Sequence, residues 1–372
     1  MPNGTRSNLS EEQQAAVSRV CSWAAGGGPQ IFTLAGYAGT GKTTTVREII
    51  EMLRGSGRSV SVCAPTGKAA YVLRTKGIDA RTVHKTIYTS SQQCSWCGTA
   101  PKQQCLDDSH PKTMKFVRLQ KLDASMLVVD EASMVSDSMH RDLAKYGVPI
   151  LYVGDHGQLE PVGDDPGLMR NPDVVLETIH RQAAGNGIIQ FAHSVRQGIA
   201  PLRSEPCENV VMLRKIPEQL SDYDVVLCGR NATRVAVNAK IRRQLGFSGD
   251  MPERGERVIC LQNNYELGIW NGLMGTVTET FGEEISFISD DGTLFEGIPV
   301  HQGQFGRERK MEGTRDVGLF DHGYCLTVHK SQGSEWDRVL VLDQGMSRAW
   351  SAARWWYTAA TRAAKELTWI VK

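Results

Sequence analysis

Lys42, Thr43, Asp130, Glu131 and Gln158 are of the types, and in the order, that polyphosphate chemistry requires. The first two close the run Gly36-Tyr37-Ala38-Gly39-Thr40-Gly41-Lys42-Thr43. Its glycines let backbone N–H groups turn towards phosphate oxygens, while Lys42 reaches the outer phosphates. The Thr43 hydroxyl is suited to Mg²⁺, and Gly39, Thr40, Gly41 and Thr44 complete the cradle. Asp130 and Glu131 end the apolar run Met126-Leu127-Val128-Val129. Adjacent residues of a strand face opposite sides, so their roles divide. Asp130 can hold the water shell of Mg²⁺, and Glu131 can orient and deprotonate an attacking water. Gln158, in Gly154-Asp155-His156-Gly157-Gln158, can sense a terminal phosphate without competing for the metal. Binding and hydrolysis of a nucleoside triphosphate is the chemistry these residues predict.

Such a loop needs a strand before it and a helix after it. Ile31-Phe32-Thr33-Leu34-Ala35 and Thr44 to Leu53 supply them. Upstream, Leu9 to Val17 reads as a helix capped by Ser10, with Gln13 three positions on completing a capping box. Downstream, Arg58 to Ala64 reads as a short buried strand that turns at Pro65-Thr66-Gly67-Lys68 into another helix, and Pro149 to Asp155 as a third. Alternating strands and helices predict an α/β fold with a parallel sheet, whose ligands collect at the strand C-terminal ends. Thr66 and Lys68 sit at such an end; local sequence leaves them either holding a phosphate backbone or simply starting a helix.

Composition narrows what surrounds the loop. A chain of 372 residues exceeds one ordinary core and predicts two or three domains. It is 41% apolar and 22% charged, and no apolar run approaches the ~20 residues that span a bilayer. Met1 to Ser10 lacks the apolar region of a signal peptide. A cytoplasmic protein is the expectation. The net charge of +1 gives no global nucleic-acid signature, but Arg81 to Lys121 holds seven Lys and Arg against two Asp. That stretch is either a solvated basic loop or a phosphate contact. It also carries Cys94, Cys97, Cys105 and His110, which could complete a tetrahedral Zn²⁺ site; reduced free thiols in a flexible loop are the alternative.

Further segments follow in order: Glu177-Thr178-Ile179-His180-Arg181-Gln182, Leu326 to Asp337 and Tyr357-Thr358-Ala359-Ala360-Thr361-Arg362-Ala363. With the loop, the Asp-Glu pair and Gly-Asp-x-x-Gln, they resemble the motifs of superfamily 1 helicases. Cys228 to Thr233, Asn263 to Gly268 and Thr327-Val328-His329-Lys330-Ser331-Gln332-Gly333 are most similar to the RecD-like and phage Dda-like branch. The resemblance implies two RecA-like domains, ATP as substrate, and movement on single-stranded DNA, usually 5′ to 3′, with opening of duplex at single-strand/duplex junctions. It further implies that Arg181 and Arg362 reach the γ-phosphate, Gln13 contacts adenine and Glu335 meets the sugar. Pro65, Thr66, Thr82, His84, Thr327 and His329 then line the DNA track. Replication or recombination proteins become the expected partners of a monomer. Glu160 departs from the family, which commonly has proline after Gln-Leu, as does the cysteine-bearing insertion.

Between Phe247 and Leu319 the texture changes. Arg257 to Leu261, Thr276 to Thr280 and Ile285 to Ile288 read as strands, and Asn271-Gly272 and Asp291-Gly292 as hairpin turns. A small antiparallel β domain is predicted, and the resemblance makes it SH3-like. Gly303 to Gly318 reads as a mobile loop. The expected division is 1–170 for the first RecA-like domain with its insertion at about 86–121, 171–246 and 320–372 for the second, and 247–319 for the β domain. Two other functions use the same motifs: a DNA-stimulated ATPase that translocates without separating strands, and a nucleotide-switched DNA-binding subunit of a larger complex.

Overall fold

The computed structural model describes residues 9–26, 28–94, 112–161, 164–179, 186–264, 266–312, 316–344 and 351–371. Its first part alternates as the sequence dictates. Helix α1 (Glu11–Ala24) leads to β1 (Ile31–Gly36), α2 (Lys42–Gly55), β2 (Val60–Ala64), α3 (Gly67–Thr75), β3 (Ala80–Thr82) and α4 (Val83–Ile87). A hairpin, β4 (Tyr88–Cys94) and β5 (Lys112–Arg118), intervenes before β6 (Met126–Val129), α5 (Asp137–Ala144), β7 (Ile150–Gly154) and β8 (Val174–Leu176). Six strands form one parallel sheet in the order β3-β2-β6-β7-β1-β8. Strand β6 shows why: Met126 and Val128 enter one core, Leu127 and Val129 the other, so a continuous apolar run is buried on both faces.

The second part repeats the principle. Strands β9 (Val210–Leu213) and β10 (Val225–Cys228) combine with β16 (Cys325–Thr327), β17 (Trp336–Leu342) and β18 (Ala363–Ile370) in a parallel sheet ordered β16-β10-β17-β18-β9. Again Val225 and Leu227 face one core while Val226 and Cys228 face another. Helices α6 (Gly187–Arg196), α7 (Asn231–Gln244) and α8 (Ala352–Ala360) belong to this part. Between β10 and β16 the chain builds an antiparallel sheet from β11 (Arg257–Cys260), β12 (Met274–Phe281), β13 (Glu284–Ser289), β14 (Leu294–Pro299) and β15 (Phe320–His322), ordered β14-β13-β12-β11-β15.

Charged pairs join α7 to that antiparallel sheet. Arg242 donates through Nε to one Glu256 oxygen at 2.7 Å and through Nη2 to the other at 2.8 Å. Arg234 pairs with buried Asp321, and Asn238 bonds the backbone of His322 and Cys325.

Four expectations are refined. Strand β8 belongs to the first sheet, although it lies beyond residue 170, because it pairs with β1. Phe320–His322 belongs to the antiparallel sheet, not the second parallel one, because it pairs with β11. The basic stretch, left open as a solvated loop or a phosphate contact, contains the β4–β5 hairpin, seven residues in each strand. Gly303 to Gly318, expected as a mobile loop, is fixed at two of its described points, since Gln304 is fully buried and Gly318 bridges to Val300, while Gly306 to Lys310 are exposed. Among the described residues, no helix is long and apolar enough to cross a membrane.

Candidate nucleotide cleft and strand channel

Tight backbone geometry forms the phosphate loop between β1 and α2. Gly39 and Gly41 take φ of 82° and 75°, which side chains disfavour, and a Cβ at Gly36 would lie 2.7 Å from Thr40 Oγ1. Lys42 folds back on the loop, donating to Gly36 O at 2.7 Å and Tyr37 O at 2.9 Å, with its Nζ 3.9 Å from Asp155 Oδ2. Thr43 and Thr44 follow in the first turn of α2, at the positive end of its dipole.

Gln13 has two local duties. It completes the capping box with Ser10, and its Nε2 donates to Thr40 O at 3.1 Å, so α1 is fastened to the loop.

Asp130 and Glu131, expected as the last two residues of the strand, instead follow β6, which ends at Val129, and Glu131 caps the next turn. Burial and the neighbouring Glu131 push the Asp130 carboxyl up to about 6, against the pull of a backbone hydrogen bond and Lys42. Glu131 takes a left-handed backbone, φ 53° and ψ 44°, rare for a residue with a side chain and costing on the order of 1 kcal/mol or more. An oxygen-only set of Asp130 and the Thr43 hydroxyl suits Mg²⁺, which keeps several waters and takes few protein ligands.

Asp155, read in the sequence only as part of a motif, is the hub of this wall. It accepts from Gly157 N at 2.9 Å, Tyr357 Oη at 2.7 Å and Gln158 Nε2 at 3.4 Å. Gln158 is itself buried, with Oε1 unpartnered. The Tyr357 hydroxyl also accepts from Ala38 N at 2.7 Å, so one residue of α8 bridges the phosphate loop and the end of β7. Burial and Asp155 keep that phenol well above its ordinary range, hence protonated. Beside it, the Arg196 guanidinium lies 3.6 Å from the Tyr37 ring centroid, with Nε unpartnered. Neither contact is local in sequence, and no motif announces it.

Arg362 is held within its own part: Nε donates to Thr358 O, Nη1 to Ser334 O and Nη2 to Thr361 Oγ1, each at 3.0 Å. A phosphate contact would require it to exchange at least one of these. Arg181 lies outside the described residues, as do Cys97, Cys105, His110 and the Cys94 side chain. Among the described residues, no group of three or more His, Cys, Asp or Glu could hold a metal ion. Glu335 is exposed immediately before β17. Glu160, the departure from the family pattern, pairs with Arg354 of α8 at 2.9 Å.

Two cavities carry the residues assigned to the DNA track. Thr66, Lys68, Thr327 and His329 line one of about 340 Å³, together with Asn271, Lys330 and Gln332. Pro65, Thr82 and His84 line another of about 520 Å³, together with Asn263 and Trp270. Thr66 and Thr82 are helix N-caps, accepting from Ala69 N and Lys85 N at 3.1 Å. Each hydroxyl keeps a proton to donate, so capping and phosphate contact are compatible. Burial lowers Lys68 and takes Lys330 down to about 8. Burial likewise lowers His84 and His329. Gln332 joins the channel to the cleft by donating to Leu159 O at 2.9 Å, and Leu159 N donates to Thr358 Oγ1 at 2.9 Å.

Known proteins are similar to this chain in sequence and in fold. The AAA domain family matches residues 8–213, and the UvrD-like helicase C-terminal domain matches 322–370. The ATP-dependent RecD2 DNA helicase of Deinococcus radiodurans is 28% identical over 98% of this chain and 49% of its own length. The RecBCD enzyme subunit RecD of Mycolicibacterium smegmatis is 26% identical over 95% of this chain and 69% of its own. The chain thus spans about half the length of the RecD2 protein. In fold it is similar to Bacteroides Pif1 bound to single-stranded DNA, with TM-score 0.58, 18% identity, and coverage of 98% of this chain and 92% of that one. A structure of two coordinating Pif1 helicases at forked duplex DNA gives TM-score 0.61, 19% identity and the same coverage.

Proposed function

From the premise that the chain belongs to the AAA domain family, we propose that it is a RecD-like superfamily 1 helicase, an ATP-dependent DNA helicase moving 5′ to 3′ on single-stranded DNA. The observation that carries this reading is the short bonded path from cavity to cleft: Gln332 lines the channel and holds Leu159, next to Gln158. Both parallel sheets are then RecA-like domains and the antiparallel sheet is the SH3-like insertion.

ATP lies along the phosphate loop, with Lys42 leaving the Gly36 and Tyr37 carbonyls for the outer phosphates. Thr43 and Asp130 would hold Mg²⁺, which would supply neutralisation of phosphate charge. Glu131 takes the proton of the attacking water, and Gln158 orients that water or senses the terminal phosphate. Arg181 and Arg362 approach from the second domain, Gln13 serves the adenine and Glu335 the sugar. Loss of the terminal phosphate removes what draws the two walls together. Movement of Leu159 is passed through Gln332 to the segment bearing Thr327 and His329. Thr66, Thr82 and the lysines hold phosphates while the other side steps.

Strand-stimulated ATP hydrolysis tests the reading. Stimulation by oligo(dT) is expected in the wild type, with turnover lost and strand binding kept in Lys42→Ala; near-normal turnover in that variant contradicts the phosphate assignment. Stimulation without unwinding would favour a translocase.

A further inference from the structure

The two channel cavities meet at one contact. A Cβ placed on Gly67 would lie 2.1 Å from Trp270 Cδ1 and 2.3 Å from Nε1, so the indole rests directly on the first residue of α3. Pro65, Gly67 and Trp270 face the larger cavity; Thr66, Lys68 and Asn271 face the other. The same two backbone stretches therefore form the partition between the chambers, with the indole on the side of the larger one. Its Nε1 is buried without a partner, although a buried indole N–H usually finds one. The ring meets Phe295 edge-on at 6.2 Å and packs against the apolar core of the antiparallel sheet as well as on Gly67.

Cationic groups stand on both sides of this partition: Arg74, Arg81 and Lys85 in one chamber, Lys68 and Lys330 in the other. A ligand that spans both carries repeated anions and must pass a flat aromatic face midway. Single-stranded nucleic acid has that chemistry, and every base has a face on which an indole can stack. We propose that Trp270 is a base-stacking residue of the channel: its indole leaves Gly67 and packs on one base of the bound strand, joining the two chambers. The assignment rests on the strand-binding reading above.

Binding of oligo(dT) and of a series bearing one abasic nucleotide at successive positions, read by fluorescence anisotropy, tests it. Wild-type affinity should fall about tenfold at one position and little elsewhere. Trp270→Leu, which keeps an apolar group over Gly67, should bind intact oligo(dT) about tenfold more weakly and become indifferent to that position. Trp270→Phe should keep the positional sensitivity. A flat abasic profile in a wild type that binds oligo(dT), or an unchanged profile in Trp270→Leu, overturns the stacking role alone. No binding by the wild type overturns the strand reading with it.

Discussion

At the seam between α7 and the antiparallel sheet, Arg242 gives Glu256 two hydrogen bonds, and Arg234 pairs with Asp321 while also donating to Asn231 Oδ1 and Arg307 O. At the nucleotide cleft the same residue types are buried on different terms. Two adjacent carboxylates, Asp130 and Glu131, follow one strand; Gln158 Oε1, Ser133 Oγ and Arg196 Nε have no partner, and Glu131 bears an unfavourable backbone. Buried charge that is fully paired acts as a fastening, since removing one partner strands the other. Buried polar atoms left unpaired cost ~1–3 kcal/mol each, an expense expected where a ligand completes the set.

Substitutions should separate the two regions, the cleft changing rate and the seam changing stability. The largest effect falls on Glu131→Gln, which keeps the shape and removes the base: ATP binding should stay within a few-fold while turnover drops about 10²–10⁴-fold. Parallel loss of binding would argue against a base. Arg242→Ala should cost about 3–5 kcal/mol in denaturant unfolding by stranding the buried Glu256 carboxylate, and Arg242→Met with Glu256→Leu should recover most of it. If the single change were as mild as the double, the seam would not be the fastening described. Tyr357→Phe removes one hydroxyl from Ala38 N and Asp155 and should lower strand-stimulated turnover by about tenfold or less, with a stability loss of about 1–3 kcal/mol, smaller than that of Arg242→Ala.

Two further effects carry opposite signs with pH. Burial, with Arg242 and Arg234 nearby, pushes His322 down to about 3 from an ordinary 6.5. The unfolded chain then takes a proton the folded one refuses, so this contribution is intact above pH 6.5 and drains as pH falls towards 3. His322→Gln should flatten the acid side of the melting curve. Asp130, raised from 3.8 to about 6, favours folding fully below 3.8 and loses that benefit as pH rises through 6. Asp130→Asn should therefore raise the nucleotide-free melting temperature at pH 8 and scarcely at pH 4. Equal shifts at both values would contradict the assigned environment.

What the sequence disclosed was contiguous. The Gly36–Thr43 loop, the acids after Val129 and the strand before Asp155 each declare themselves within a dozen residues, and the structure puts them at the ends of neighbouring strands β1, β6 and β7. Thr66 and Lys68 were legible locally as a strand end, and only the family resemblance set Thr66 beside Thr327 on one track, because that meeting depends on how the two sheets pack. Tyr37 with Arg196, and Tyr357 with Asp155, join residues more than 150 positions apart, for which no period or spacing exists. Polarity hid the β4–β5 hairpin: Ser90, Ser91, Gln92 and Gln93 lack the apolar alternation of a half-buried strand. Asn271-Gly272 read as a plain turn, yet Asn271 lines the channel and bonds Lys330.

Unwinding of two partial duplexes, one with a 5′ and one with a 3′ single-stranded tail, most directly tests coupling between cleft and channel. The account predicts ATP-dependent opening of the 5′-tailed duplex by the wild type and none by Lys42→Ala; opening of only the 3′-tailed duplex, or opening that persists without ATP, would contradict it.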